Sequence, residues 1–177
     1  LNKSEKLTDA EFEEMKKHSW YGYNYLKAKY SIPLKSYVAI LEHHEKYDGT
    51  GYPNGKKGKD ICLFGRIIAI ADVYDALTSR RPYRDALLPS EVMEYIMGGA
   101  GTHFDFELIN IFTRKVAAYP IGTCVELNNG LMGIVVENYP DACTRPKIRL
   151  IDEEEVYVDL KNDLESKNIT IVKIADM

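Results

Sequence analysis

The apolar pattern of this 177-residue chain changes near Pro120, and that change divides the fold into two parts. Before the proline, apolar residues recur every three or four positions, which is the repeat of amphipathic helices. After it, short alternating runs flank the turn Asn128-Asn129-Gly130, which is typical of a β-hairpin. The sequence therefore predicts a mainly α-helical domain over residues 1–118 and a small antiparallel β module of four or five strands over residues 119–177.

The helical part opens with a capping box, in which Thr8 and Glu11 each satisfy a backbone N–H of the other. The first helix is predicted to run to about Lys29, with a break near Gly22. Further helices are predicted after Pro33, over Arg66–Arg80, from Pro89 and over Glu107–Ala118. The Arg66–Arg80 segment is apolar almost all round, so we expect a central, buried helix there.

Composition is that of an ordinary soluble globular protein, with 45% hydrophobic and 28% charged residues. A formal net charge of -4 argues against a nucleic-acid polymer as partner. No apolar run has the length of a membrane span, and the polar N-terminus resembles no signal peptide, so a cytoplasmic location is expected. Three widely spaced cysteines, Cys62, Cys124 and Cys143, fit free thiols in a reducing compartment.

Two adjacent histidines, His43 and His44, end the second predicted helix and lead into a glycine-rich loop that closes with Tyr52-Pro53. Neutral imidazoles bind metal ions. Adjacent helical residues point about 100° apart, so the pair should not face one point without a local irregularity. They would then reach two neighbouring ions, or one would bind an ion while the other supports it or contacts substrate.

A third histidine, His18, lies on the first predicted helix, and Asp72 lies on the apolar Arg66–Arg80 helix. A buried carboxylate is costly unless it is paired or binds a metal, so Asp72 and its same-face neighbour Asp75 need an explanation. Histidines and an aspartate on separate helices form a metal-site pattern. The alternative at each position is an exposed side chain, or a buried one whose hydrogen bonds are satisfied without a metal ion.

Three segments carry a family resemblance. They are His43-His44-Glu45-x-x-Asp48-Gly49-x-Gly51-Tyr52-Pro53, the helix Arg66–Thr78, and the basic turn Arg81-Pro82-Tyr83-Arg84. With these motifs the chain resembles the HD-GYP family, metal-dependent phosphodiesterases of the wider HD hydrolase superfamily. The resemblance covers roughly residues 1–118 and implies little about the β module.

The resemblance implies hydrolysis of cyclic di-GMP in bacterial second-messenger signal transduction. It also implies a site of two or three divalent transition-metal ions, usually iron or manganese. By motif match, the metal ligands are His18, His43, His44 and Asp72. The residues that would face the substrate are Tyr52, Asp75, Arg81 and Arg84. Sensory or signalling proteins are the expected protein partners.

The sequence departs from the family in one respect, because it contains no His-Asp dipeptide. Leu1 is also not an initiator methionine, so we expect a fragment or processed chain that lacks the N-terminal HD motif. The helical domain would then be incomplete, no catalytic set would be complete in this chain, and the isolated chain should be inactive. Apolar surface left uncovered in such a domain would favour a homodimer.

Two other functions stay open at this point. One is a non-catalytic signalling or adaptor module that uses the loop ending at Tyr52-Pro53 to contact a partner. The other is a phosphohydrolase of a different nucleotide, such as a guanosine alarmone or a hybrid cyclic dinucleotide.

Overall fold

A computed structural model describes residues 7–81, 85–151 and 155–175. Within these residues, six α-helices precede five β-strands. The helices are α1 (Asp9–Lys16), α2 (His18–Lys27), α3 (Leu34–Glu42), α4 (Leu63–Thr78), α5 (Pro89–Gly98) and α6 (Phe106–Lys115). The strands are β1 (Cys124–Leu127), β2 (Met132–Glu137), β3 (Lys147–Leu150), β4 (Tyr157–Asp159) and β5 (Ile171–Ile174). This order confirms the predicted helical domain followed by a small antiparallel sheet.

The chain forms two compact units. The first comprises Leu1–Ala86 and Tyr95–Ile109, and the second comprises Leu87–Glu94 and Asn110–Met177. The predicted division after residue 118 stays a prediction. None of the described helices combines the length and the apolar character that crossing a membrane requires.

The first predicted helix is two helices. Its capping box is present, with Thr8 Oγ1 accepting from Glu11 N at 3.3 Å and Glu11 Oε2 accepting from Thr8 N at 2.7 Å. The break falls at Lys17, between α1 and α2, and not near Gly22 as predicted. Gly22 instead allows α2 to approach α3, because a Cβ there would lie 2.9 Å from Ile40 Cγ2.

Helix α4 is less buried than its composition predicts. Gly65, Ala69 and Ile70 are buried, whereas Phe64 and Ile67 are 47% and 42% exposed. Contact with α3 explains the buried side, since a Cβ on Gly65 would lie 3.2 Å from Glu42 Cβ. The prediction of a central, buried helix is therefore wrong, because apolar composition does not show which face of a helix has a neighbour.

The five-stranded sheet of the second unit has the order β4-β3-β2-β1-β5, and all neighbouring strands are antiparallel. The predicted hairpin joins β1 to β2, and Gly130 adopts a φ of +84° in its turn. Alternate residues of β2 are buried. One of them, Val135, pairs with the equally buried Ile148 of β3. Alternating burial of this kind is what the sequence pattern predicts.

Candidate metal centre

Three histidine side chains converge in the first unit. His18 opens α2, and His43 and His44 directly follow α3. The Nε2 atom of His18 lies 3.3 Å from that of His43 and 3.0 Å from that of His44. One ligand atom from each of the three histidines lies within 4.8 Å of the others. We call these residues the histidine cluster, and their spacing fits shared coordination of one ion.

The end of α3 allows both adjacent histidines to reach the same point. Helix α3 ends at Glu42, His43 is its C-cap residue, and His44 lies in the following turn. The 100° separation expected for neighbours inside a helix does not apply beyond its last turn, and the two ring centroids are only 4.0 Å apart. The end of α3 is thus the local irregularity that lets the two adjacent histidines face one point.

The tautomers of two cluster members follow from their backbone partners. The Nδ1 atom of His18 lies 2.7 Å from the carbonyl oxygen of Met15, and that of His43 lies 2.6 Å from the carbonyl oxygen of Ile40. A carbonyl oxygen only accepts, so each Nδ1 carries the proton and each neutral ring offers a lone pair at Nε2. Two facing lone pairs 3.3 Å apart repel each other unless a cation lies with them. The donor set therefore fits a metal ion.

Burial keeps the rings of His43 and His44 in the neutral form that can bind a metal ion. Burial lowers the pKa of His43, although the nearby charge of Asp72 opposes this in part. Burial also lowers the pKa of His44 to about 3, with the neighbouring His43 and His18 acting in the same direction. Near neutral pH these two imidazoles are therefore unprotonated.

The predicted metal ligand Asp72 and the predicted substrate contact Asp75 both lie on an exposed face of α4. Asp72 is exposed, so the prediction that it is a buried carboxylate is wrong. Its charge nevertheless acts on His43 and Tyr52, although it is not one of the three residues whose ligand atoms converge. Asp75 is exposed as well, and its Oδ1 lies 3.5 Å from the hydroxyl of Ser79.

The predicted substrate-facing residues are divided between two environments. Tyr52 is half-buried beside the histidine cluster, and its ring stacks on that of His44 with centroids 4.8 Å apart. Burial, aided by the charge of Asp72, raises the pKa of Tyr52 to about 12, so its hydroxyl stays protonated. Arg81 is exposed to solvent, and Arg84 lies outside the described residues.

Two buried carboxylates fix the loop that follows the histidines. Glu45 is 2% exposed and accepts hydrogen bonds from the backbone N–H groups of Asn54, at 2.7 Å, and Lys56, at 3.0 Å. Glu42, also 2% exposed, accepts from Lys56 Nζ at 2.6 Å and from the N–H of Cys62 at 2.7 Å. Sequence reasoning assigned neither residue a role. The only signal was that Glu45 stands inside the signature motif.

Close backbone packing explains a glycine of the same loop. A Cβ on Gly51 would lie 2.2 Å from the backbone nitrogen of Lys46 and 2.6 Å from the carbonyl carbon of Glu45. The next residue, Tyr52, donates its N–H to the carbonyl oxygen of His44 at 3.1 Å. Only glycine allows this return of the chain, which brings Tyr52 back against the histidine cluster.

Two known protein families match this sequence, and one of them covers the histidine cluster. Residues 1–108 match the model of the HD domain, and residues 124–177 match that of a KOW domain associated with the HD domain. An HD domain implies a phosphohydrolase that depends on a divalent metal, and the histidine cluster is a candidate site for such an ion.

The chain is also similar to several curated cyclic dinucleotide phosphodiesterases. A cyclic di-GMP phosphodiesterase of Pseudomonas aeruginosa is 36% identical over 150 residues, which are 85% of this chain and 36% of the relative. A cyclic di-GMP phosphodiesterase of Vibrio cholerae is 44% identical over 63% of this chain and 24% of its own length. A 3'3'-cGAMP-specific phosphodiesterase of Vibrio cholerae is 40% identical over 63% of this chain and 22% of its own length.

The chain thus spans little more than a third, at most, of these relatives' lengths. The match to the family model covers more than half of the chain itself. The chain belongs to the HD domain family, and its predicted resemblance to the HD-GYP phosphodiesterases is confirmed.

Proposed function

We propose that the protein containing this chain is a metal-dependent phosphodiesterase that hydrolyses cyclic di-GMP. One observation carries the proposal: the Nε2 atoms of His18, His43 and His44 converge, with lone pairs at two of them facing each other. Relatives named as cyclic di-GMP phosphodiesterases support the choice of substrate. Signalling through this second messenger follows from that choice.

Each predicted residue has a role in this proposal. The three histidines, together with Asp72, hold metal. Bound divalent ions supply a polarised phosphoryl oxygen and an activated water. Tyr52, which covers one side of His44, orients the substrate, and Arg81 and Arg84 are suited to bidentate contacts with its phosphates. Asp75 lies one turn after Asp72 and would contact the substrate from α4.

Iron or manganese is the metal that we propose, in a site of two or three ions. Imidazole and carboxylate ligands suit both elements. Three imidazoles and one carboxylate are enough for a single ion, so more ligands than these are needed for a second. We therefore expect the 177-residue chain to bind less metal than the full-length protein and to hydrolyse no cyclic di-GMP.

The test measures both metal content and turnover. Full-length protein, the 177-residue chain and a full-length His43→Ala variant are purified, and iron and manganese are counted by elemental analysis. Hydrolysis of cyclic di-GMP is followed by chromatography of the products. The full-length protein should contain metal and be active, and the variant should lose both. A full-length protein that binds no transition metal would contradict the proposal and would favour a non-catalytic adaptor.

A second substrate also has a specific observation in its favour. Relatives of similar identity are named as 3'3'-cGAMP-specific phosphodiesterases, so the hybrid cyclic dinucleotide is a direct rival of cyclic di-GMP. Turnover on a panel of cyclic di-GMP, 3'3'-cGAMP and a guanosine alarmone distinguishes the candidates. Homodimer formation and sensory partners stay predictions that sedimentation and pull-down experiments on the full-length protein can test.

A further inference from the structure

An open cavity of about 320 Å³ lies beside Tyr52. Its lining residues are Glu13, Lys16, Lys17, Trp20, Tyr52 and Pro53, and we call it the Trp20 groove. The first four follow helical spacing along α1 and the start of α2, and the last two belong to the loop after the histidines. Tyr52 stacks on His44, so the groove begins one ring away from the histidine cluster.

Aromatic surface is the main binding feature that the groove offers. Trp20 is 50% exposed, and its ring stacks on that of Tyr23 with centroids 5.5 Å apart and planes 20° apart. A ring held in this way presents a fixed flat surface.

The lysines of the groove already have acidic partners. Lys16 Nζ lies 2.6 Å from Glu13 Oε1, and Lys17 Nζ lies 2.5 Å from Glu14 Oε2. The two positive charges are thus balanced locally, so the groove is not a general phosphate site. A planar and uncharged ring is the ligand that it suits best.

We propose that the Trp20 groove binds one nucleobase of a cyclic dinucleotide, stacked on Trp20, while the phosphodiester lies at the histidine cluster. This inference rests on the proposed function. Stacking of a base on an aromatic side chain tolerates any base, because every base has a π face. The groove therefore contributes affinity for the substrate and fixes the position of its phosphodiester relative to the histidine cluster.

Glu13 gives the groove a preference for guanine. Its side chain is 68% exposed, and a carboxylate oxygen not engaged by Lys16 can accept further hydrogen bonds. Guanine carries N–H donors on its N1 and N2 positions, whereas adenine has an acceptor at N1. A carboxylate at the base edge can therefore accept two hydrogen bonds from guanine but only one, from the N6 amino group, from adenine.

The first measurement uses Trp20 as its own reporter, since it is the one tryptophan in the 177-residue sequence. The chain is titrated with GMP and with AMP in EDTA, so that no metal contributes, and tryptophan fluorescence is recorded. GMP should quench the signal saturably and at a lower concentration than AMP. In a Glu13→Gln variant the difference between the GMP and AMP titration midpoints should become smaller. Equal midpoints in the wild-type chain would overturn the guanine preference.

The second measurement is the affinity of the chain for cyclic di-GMP by calorimetry, with Mn²⁺ present. Trp20→Ala should weaken binding by about 5-fold to 150-fold, the range for loss of one base–aromatic stack. Trp20→Phe keeps a flat ring and should recover most of the affinity. The control is Tyr25→Ala, which removes a more exposed aromatic ring from the same helix and should leave binding unchanged.

The outcomes separate this inference from the proposed function. Equal affinity of the wild-type chain and Trp20→Ala for cyclic di-GMP overturns the base site and leaves the enzyme proposal intact. Quenching by GMP in a protein whose full-length form binds no metal and hydrolyses nothing supports the base site and removes the proposed function. No response of Trp20 to any of these nucleotides overturns the inference.

Discussion

The loop after the histidines and the exposed face of α4 differ in how firmly their side chains are held. In the loop, the buried carboxylates of Glu42 and Glu45 accept hydrogen bonds from the chain that returns around them. On α4, Asp72 and Asp75 are exposed, as is Arg81 beyond its end. The histidine side of the candidate site is thus held by local packing, whereas the side chains on the α4 side are exposed.

This difference matters for the proposed metal binding, because ligands fixed before binding do not have to be ordered when the ion arrives. His18 and His43 are each anchored through Nδ1 to a backbone carbonyl. No comparable anchor is seen for Asp72 within the described part of the chain. We therefore expect substitutions in the loop and in the histidine cluster to act more strongly than those on α4.

Gly51→Ala should have the largest effect. The new Cβ would lie 2.2 Å from a backbone nitrogen, so the loop has to move, and we expect a loss of more than about 3 kcal/mol in the free energy of unfolding, measured by urea denaturation. The control is Gly58→Ala, where φ is +57° and an added Cβ would meet no atom within 4 Å beyond the adjacent residues. It should cost about 1 kcal/mol, for the left-handed backbone alone. Equal losses would show that the loop is not tightly packed.

His43→Ala should come next, with Mn²⁺ affinity of the chain as the measured quantity. Loss of the imidazole that we propose as a metal ligand should weaken binding by about 100-fold, or about 2.8 kcal/mol. Asp72→Asn should weaken it by about tenfold, because Asp72 is exposed and is not held beside the three converged nitrogens before an ion binds. Calorimetry gives both values. If the two variants lose the same affinity, the α4 side is as well ordered as the histidine side.

Glu45→Gln should have an intermediate effect. Its amide can accept one of the two backbone N–H groups but presents its own donor to the other, which should destabilise the fold by about 2 kcal/mol. Glu107→Gln is the matched control, since it removes a charge from an exposed side chain whose ion pair with Lys59 spans 3.4 Å. It should leave stability nearly unchanged. A thermal melt that does not distinguish the two variants would contradict the role given to Glu45.

Arg81→Ala should have the smallest effect on the fold. Arg81 is exposed, so the free energy of unfolding should change by no more than about 0.5 kcal/mol. Affinity of the full-length protein for cyclic di-GMP should nevertheless fall, because the guanidinium offers paired donors to a phosphate. An Arg81→Lys variant should recover only part of it. Unchanged affinity in both would remove Arg81 from the substrate contacts.

The helices and strands could be predicted well from sequence because their signals are local. The capping box at Thr8 and Glu11 and the turn at Gly130 were confirmed, since both depend on residues within three positions. The break in the first helix was misplaced by five residues, at Lys17 instead of Gly22. A glycine in a helical pattern suggests that the helix is interrupted there. Gly22 instead lies inside α2, where its small size allows close packing against α3.

The candidate site was identified in part from sequence. The motif singled out His43, His44 and Tyr52, and the structure brings all three together with His18. The buried position expected for Asp72 was wrong, because the exposed face of α4 cannot be recognised from its apolar composition. Trp20 was placed on a helix, but nothing in its spacing showed that it would line a groove beside Tyr52.

The amino-acid sequence by itself determined the order of the helices and strands, the turn chemistry and the set of candidate ligands. Only the tertiary structure decided that the Nε2 atoms of His18 and His43, 25 positions apart in the chain, would lie 3.3 Å apart. It also decided that Glu42 and Glu45 would hold the loop from inside. Local signals arise from steric and hydrogen-bonding preferences of neighbouring residues. Convergence of distant side chains arises from how α2, α3 and the loop pack, which no short segment encodes.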